Sequence, residues 1–317
     1  MRFALMTEPQ QGLTYDEILA LARGAETAGL EAFFRSDHYG SFGGTADGPT
    51  TDAWATLAGL ARDTATIRLG SLVSPITFRI PGSFAKVVAT VDEMSGGRVE
   101  VGMGAGWNEA EHLALGIPFP PLGERYDRLE ESLAILHGLW TEPDGWSYEG
   151  RHWLVKGARL RPRPTFSGRP HPHLILGGDG GPRLARLVAS WADEFNRQSA
   201  TPDRLREAYG RIAVACAASG REPDSIVRSA MVGVLVAETE QDLRDRVRAQ
   251  IALVGDANVD AEAWLAERTG RWIVGTLDAA HQRIEELGAA GAQRIMLQDF
   301  LPRDLEMVAL LGRIAAP

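Results

Sequence analysis

Short apolar runs alternate with amphipathic stretches from one end of the chain to the other. The apolar runs predict strands at 2–7, 31–36, 67–73, 98–104, 173–177, 193–196, 228–236 and 294–298. Between them, apolar positions recur at helical spacing over 14–29, 52–64, 81–95, 123–140, 181–191, 203–219, 240–254, 276–290 and 303–315. In the first of these, Tyr15, Ile18, Leu19 and Ala22 fall on one face. The helix ends carry their own signals. Thr14 and Asp16-Glu17 open the first helix, Gly29 closes it, and Pro81, Pro182 and Pro202 stand at first-turn positions, where a missing N–H has no partner to lose.

Eight strands, each followed by a helix, favour parallel pairing and closure into an α/β fold of the (β/α)8 TIM-barrel type, one domain over 1–317. An open doubly wound sheet is disfavoured, because Thr7-Glu8-Pro9-Gln10-Gln11-Gly12 stands where its Gly-x-Gly-x-x-Gly is expected. Two stretches break the rhythm. Residues 142–172, with Trp146, Tyr148 and Trp153 among Pro and Gly, predict a hairpin plus loop, and residues 255–272 an extra short helix. Both insertions are expected at the C-terminal face of the strands, where barrel active sites and their lids lie.

Composition narrows the function. The 317 residues carry 33 Lys and Arg against 42 Asp and Glu, a net charge of −9 that repels a phosphate backbone and disfavours nucleic acid as a partner. Cys216 is the lone cysteine, in the helical-looking stretch Ala213–Ala218; it excludes a disulfide framework and reads as a small buried apolar residue. The chain enters the strand-like segment Arg2–Met6 without a charged and then apolar leader, and no run reaches the ~18 apolar residues of a membrane span. A cytoplasmic protein with no membrane partner is expected.

Asp37-His38 follow the apolar run Leu30–Ser36 and so stand at the C-terminal tip of the second strand, where a His can exchange a proton during a redox step. Gly102-x-Gly104-x-Gly106 lacks the spacing and the acidic partner of a dinucleotide fingerprint. It reads instead as a strand whose missing side chains let a planar ring pack on backbone. Trp107 and Asn108 follow it, and Trp107 suits either a ligand contact or packing at a helix start. The loop Gly177-Gly178-Asp179-Gly180-Gly181-Pro182 joins a strand to a helix start and suits an anion, provided Asp179 turns away; a plain tight turn is the alternative. His171 and His173 point to opposite faces of a strand with no carboxylate at a telling spacing, so no metal site is expected. Arg161, Arg163 and Arg169 form a local basic cluster, and Glu8, Gln10 and Gln11 offer polar groups at the end of the first strand.

The order and wording of several segments resemble the bacterial-luciferase-like superfamily, and most closely its branch of oxidoreductases that use the deazaflavin coenzyme F420. The segments are Ser36-Asp37-His38, the 67–112 block, Gly116–Glu131, Leu139-Trp140, Ala192–Asn196, Ile273–Thr276 and Arg294–Gln298. The resemblance implies hydride transfer between the deazaflavin C5 and a small organic substrate, with His38 as acid/base. It implies cofactor contacts from Asp37, Leu72, Val73, Ser74, Gly104, Gly106, Trp107, Asn108, Gly177, Gly178, Asp179, Gly180 and Asn196. A cis bond between Leu72 and Val73, in a bulge behind the cofactor ring, also follows from it. So does an anionic cofactor tail for the arginine cluster to receive. Characterised sugar-phosphate and alcohol dehydrogenases of the branch often carry, where Trp107 stands here, a Glu that assists the His. A homodimer is expected through the helices flanking the second and third strands, where Leu57, Leu60, Ala61, Phe84, Val87, Val88 and Val91 suggest surplus apolar surface. Two rival readings stand beside this one. The first is an FMN-dependent monooxygenase fed reduced flavin by a partner reductase. The second is a non-catalytic flavin-binding barrel, against which the intact Asp37-His38 counts.

Overall fold

The structure, a computed structural model, describes residues 1–41, 48–164, 168–199, 201–254 and 259–316. Residues 165–167 and 255–258 of the two predicted insertions lie outside the described residues. The strands are β1 (Arg2–Thr7), β2 (Ala32–Arg35), β3 (Arg68–Pro75), β4 (Val99–Gly104), β5 (Trp146–Glu149), β6 (Leu154–Ala158), β7 (His173–Gly177), β8 (Glu194–Gln198), β9 (Val227–Ala237), β10 (Ile273–Thr276) and β11 (Arg294–Asp299). The helices are α1 (Tyr15–Thr27), α2 (Ala53–Asp63), α3 (Pro81–Ser95), α4 (Glu109–Ala114), α5 (Leu122–Thr141), α6 (Pro182–Trp191), α7 (Pro202–Ala218), α8 (Glu240–Leu253), α9 (Ala261–Arg268), α10 (Leu277–Ala289) and α11 (Leu305–Ala315).

Among the described residues, eight parallel strands close a barrel in the order β1-β2-β3-β4-β7-β8-β9-β11, with β11 returning to β1. All eight are strands that the apolar runs predict. The predicted end signals also act: Thr14 and Glu17 form a reciprocal capping box on α1, and Pro81, Pro182 and Pro202 each sit in a first turn. Two short elements escape periodicity. The helix α4 has 6 residues, and β10 has 4 and pairs with the overhanging end of β9, Val234 to Ala237.

Alternation along the strands sorts the side chains into two cores. Phe3, Leu5, Leu69, Val101, Ile295 and Leu297 face the helices. Ala4, Met6, Ala32, Phe34, Leu72, Ile175, Met231 and Met296 form a separate cluster inside the barrel, with Val73 packed on it. The base of the barrel is ionic. Arg294 bonds Glu100 (2.6 Å) and Glu194 (3.0 Å) and pairs with Glu31, while His173 Nε2 meets Glu194 at 2.9 Å. Burial raises the Glu100 and Glu194 carboxyls, but Arg294 and His173 outweigh it and hold both below the ordinary carboxylate range.

Two expectations need correction. The segment 142–172 runs from the end of α5 to the start of β7, so it lies at the N-terminal face of the barrel and not the catalytic one. Its hairpin β5-β6 covers α5, where Glu131 accepts from the N–H groups of Arg151, His152 and Trp153. Arg161 and Arg163 both pair there with Asp144, and Arg169 donates to His173 Nδ1 at 2.8 Å, so this cluster does not face the site. The second insertion follows α8 and not a strand end, and contains the expected short helix, α9. The apolar surplus on α2 and α3 is also absent. Leu57, Leu60, Ala61, Phe84, Val88 and Val91 are all buried within the single chain, and only Val87 of that set is exposed.

Candidate active site

Ser36 continues β2 through an N–H bond to the Thr7 carbonyl, which delivers Asp37 and His38 to the C-terminal mouth of the barrel. Buried Arg35, held slightly below the mouth, ties the connection down by donating to the Ser36 carbonyl, to Thr51 and to Thr56. The Asp37 carboxylate has no exposed surface. It accepts from Ser74 Oγ (2.7 Å) and from Arg79 Nη1 (2.5 Å), and Ser74 Oγ in turn receives the Trp54 indole N–H at 2.8 Å. Arg79 also bonds Asp52 (2.6 Å), which accepts the Tyr39 hydroxyl at 2.9 Å. Burial alone would lower the Arg79 guanidinium and raise the Asp52 carboxyl. The charges and hydrogen bonds of the cluster reverse both, so Arg79 and Asp52 stay ionised. Asp37 therefore locks the tip of β2 to the end of β3.

His38 has a partner that the sequence did not suggest. Its Nδ1 lies 2.8 Å from Glu111 Oε1, and Glu111 Oε2 accepts the Tyr39 backbone N–H at 3.1 Å. The Glu111 side chain is 4% exposed, on α4. A carboxylate facing Nδ1 makes that nitrogen the donor and Nε2 the acceptor of the neutral ring. Trp107, 63% exposed at the mouth, meets the His38 ring edge-on at 5.6 Å. Asn108 caps α4 and accepts from His112 Nδ1 at 2.6 Å; His112 Nε2 meets Thr77 Oγ1 at 2.7 Å, so this histidine is a bonded core residue.

The Leu72–Val73 bond is cis, as the resemblance implied, and the pairing of β3 with β4 is interrupted between Ser71 and Ser74. This bulge changes the reason for the glycines. A Cβ at Gly104 would lie 2.8 Å from Val73 Cγ2, and one at Gly177 would lie 2.9 Å from Val73 Cγ1. A Cβ at Gly102 would strike the Ser71 carbonyl. These glycines make room for the bulge, which presents Leu72 and Val73 to the barrel interior; they do not leave bare backbone for a ring to lie on. Gly106, at φ +79°, turns the chain out of β4, and its carbonyl accepts from Arg125.

Across the mouth, the loop after β7 has the features of an anion cradle. Gly178 (φ +150°) and Gly180 (φ +67°) adopt backbone that side chains disfavour, and α6 begins at Gly181 with no side-chain cap on its N–H groups. Asp179 does turn outward. Its carboxylate pairs with Arg197 Nη1 at 2.7 Å, while Arg211 bonds the Asp179 and Gly180 carbonyls. Arg197 Nε is buried without a hydrogen-bond partner among the described residues. An orphaned guanidinium N–H beside an uncapped helix start fits a phosphate-bearing cofactor. Asn196 sits lower, on the inner face of β8, donating to Ser229 Oγ at 2.8 Å.

At the tips of β1, β2 and β11 a polar chain crosses the mouth. Ser36 donates to Gln10 (2.5 Å), Gln10 donates to Glu8 (2.7 Å), and Gln298 donates to the other Glu8 oxygen (2.6 Å). The predicted cofactor residues are thus brought to one face, joined there by Arg79, Glu111, Arg197 and Gln298. The histidine pair behaves otherwise. His173 does meet two carboxylates, Glu100 and Glu194, with ligating atoms within 4.8 Å of one another, but Arg294 supplies the positive charge between them.

Residues 1–308 match the family described as luciferase-like monooxygenase. The chain belongs to that family. Its relatives include both cofactor types. It is 32% identical over 184 residues to the FMNH2-dependent dimethylsulfone monooxygenase of Pseudomonas putida, covering 58% of this chain and 47% of that one. It is 33% identical over 183 residues to the F420-dependent glucose-6-phosphate dehydrogenase of Nakamurella multipartita, covering 56% and 51%. The chain thus spans about half the length of these two curated relatives. A longer match, 27% identity over 82% of this chain and 71% of the other, is to the pyrimidine monooxygenase RutA of Stutzerimonas stutzeri. Among solved structures, an F420-dependent secondary alcohol dehydrogenase shares the fold at TM-score 0.83 and 19% identity, covering 99% of this chain and 97% of that one. An FMN-bound 3,6-diketocamphane monooxygenase component from Pseudomonas putida shares it at 0.79 and 18%, covering 100% and 98%. No helix among the described residues is long and apolar enough to cross a membrane.

Proposed function

We propose that this luciferase-like protein is an F420-dependent oxidoreductase acting on a small organic molecule, with His38 as its acid/base. The observation that carries the reading is the buried Glu111 bonded to His38 Nδ1, which gives the ring the fixed orientation a proton-transfer group needs. Bound F420 supplies a two-electron hydride acceptor or donor that reacts poorly with oxygen, which suits a dehydrogenase or reductase. Leu72 and Val73 would back its ring, Trp107 and Asn108 would flank it, and Gly177–Gly180 with Arg197 would hold its phosphate. His38 takes the substrate proton at Nε2 when substrate is oxidised and returns it when substrate is reduced. Glu111 stabilises the charged ring that forms in either direction.

Side-by-side fluorescence titrations test the cofactor. Tighter binding of F420 than of FMN is expected, and equal or reversed affinities would favour the FMN-dependent monooxygenase instead. Replacing His38 by Ala is expected to leave cofactor affinity within a few fold and to lower turnover by about 10²–10⁴. Unchanged turnover would remove His38 from the reaction. We further propose a homodimer, on the strength of the family resemblance alone, since the apolar residues first assigned to the interface are buried; a monomer mass by light scattering refutes it.

A further inference from the structure

We propose that Glu8 sets the substrate class of this site: a neutral or cationic molecule that presents an N–H or O–H group, with phosphate, sulfonate and carboxylate compounds excluded. The inference rests on the functional reading above, because it assumes that substrate enters at this face.

The position follows from alternation. Ala4 and Met6 of β1, Ala32 and Phe34 of β2, and Met296 of β11 point into the barrel. Glu8 and Ser36, the next residues of the same parity, follow Met6 and Phe34, and Gln298, the register partner of Met6, reaches up to the Glu8 carboxylate. This group is directional. Gln10 is fully buried, Ser36 and Gln298 are nearly so, and only Glu8 is partly open. Ser36 donates to the Gln10 amide oxygen, which turns the Gln10 amide N–H toward Glu8. Gln298 directs its own amide N–H at the second Glu8 oxygen. One N–H of each glutamine amide is thereby engaged by the carboxylate. The charged group the rim offers a ligand is an acceptor, the remaining lone pairs of Glu8, with the Gln298 amide oxygen beside it.

The charge of Glu8 has no ion-pair partner among the described residues. Arg35, whose field reaches it, lies on the outer face of β2 with its donors engaged by Thr51, Thr56 and the Ser36 carbonyl. The undescribed residues contain no Lys, Arg or His. The neighbouring charges add to the same sign, since Asp37 and Asp52 share Arg79, and Glu111 faces a histidine. An anionic group here would meet a fixed carboxylate with no cation paired to it among the described residues, whereas an ammonium or hydroxyl would complete the site.

The test is ligand-detected NMR on the purified protein, with and without added F420 or FMN. It uses matched sets of straight-chain and benzyl compounds, each as alcohol, ammonium and carboxylate. Alcohols and ammonium ions are expected to bind at least about tenfold more tightly than the matched carboxylates, the scale of one charge-assisted hydrogen bond. Glu8→Gln should abolish the preference for ammonium over carboxylate, whereas Glu8→Asp should keep its sign at lower affinity. Carboxylates binding as well as ammonium ions, a preference untouched by Glu8→Gln, or no binding in any set would each overturn the proposal. Cofactor titrations on the same samples separate the two readings. Loss of all cofactor binding with the charge preference intact refutes the oxidoreductase and spares Glu8; the reverse result refutes Glu8 alone.

Discussion

Replacing Glu111 by Gln leaves two donors facing a side chain that can accept from only one of them. Tyr39 N–H is fixed by the backbone, so the amide oxygen should turn toward it and present its NH2 to His38 Nδ1. The ring must then accept at Nδ1 and carry its proton on Nε2, the tautomer that cannot take a proton from substrate. The imidazolium also loses its stabilising charge. In the serine proteases, where an Asp orients the catalytic His, the equivalent change lowers turnover about 10⁴-fold. A loss of about 10²–10⁴ is expected here, or about 3–5 kcal/mol of barrier at 1.36 kcal/mol per decade. KM and cofactor affinity should move only a few fold, because Glu111 is buried behind the ring. Glu111→Ala should add a stability loss of about 2–4 kcal/mol, having stranded both donors. Single-turnover hydride transfer measures the rate, and nitrogen-15 NMR of the His38 ring reads the tautomer without substrate. Turnover within threefold of wild type, with Nδ1 still protonated in Glu111→Gln, would refute the reasoning.

Three further outcomes follow from other parts of the molecule. Burial pushes the Asp299 carboxyl up to about 7, from an unfolded value of about 3.9, so its contribution is fully present below pH 4 and is lost as pH rises to 7, by about 4 kcal/mol in all. Asp299→Asn should match wild type in denaturant unfolding near pH 4, gain on it steadily up to pH 7, and hold that gain above; a pH-independent difference would contradict the assignment. Arg294→Met should destabilise by about 3–5 kcal/mol in urea titrations, because Glu100 and Glu194 stay buried without their counter-charge. Gly104→Ala should cost about 1–3 kcal/mol and weaken cofactor binding by displacing Val73, and a variant equal to wild type in both would show that the bulge tolerates the added methyl group.

The barrel itself was legible along the chain, because strands buried on both faces are read as apolar runs and their helices as a 3.6-residue stripe. Neither signal depends on which elements meet. The tip of β2 was legible for the same reason, since a barrel places every strand end on one face, and His38 stands at such an end. The partners of those residues were not. Glu111 lies 73 positions from His38 on a helix of 6 residues, too short for a periodic stripe, and only closure of the barrel brings it to the ring. Arg79 reaches Asp37 across 42 positions, and Gln298 reaches Glu8 across 290. The glycines of β4 show the limit most plainly. Their spacing announced that side chains are excluded, but whether a ligand or the protein's own Val73 does the excluding depends on where β3 bulges against them. Chain order determined which elements form and which ends they present; long-range packing decided which charges stay unpaired at the mouth.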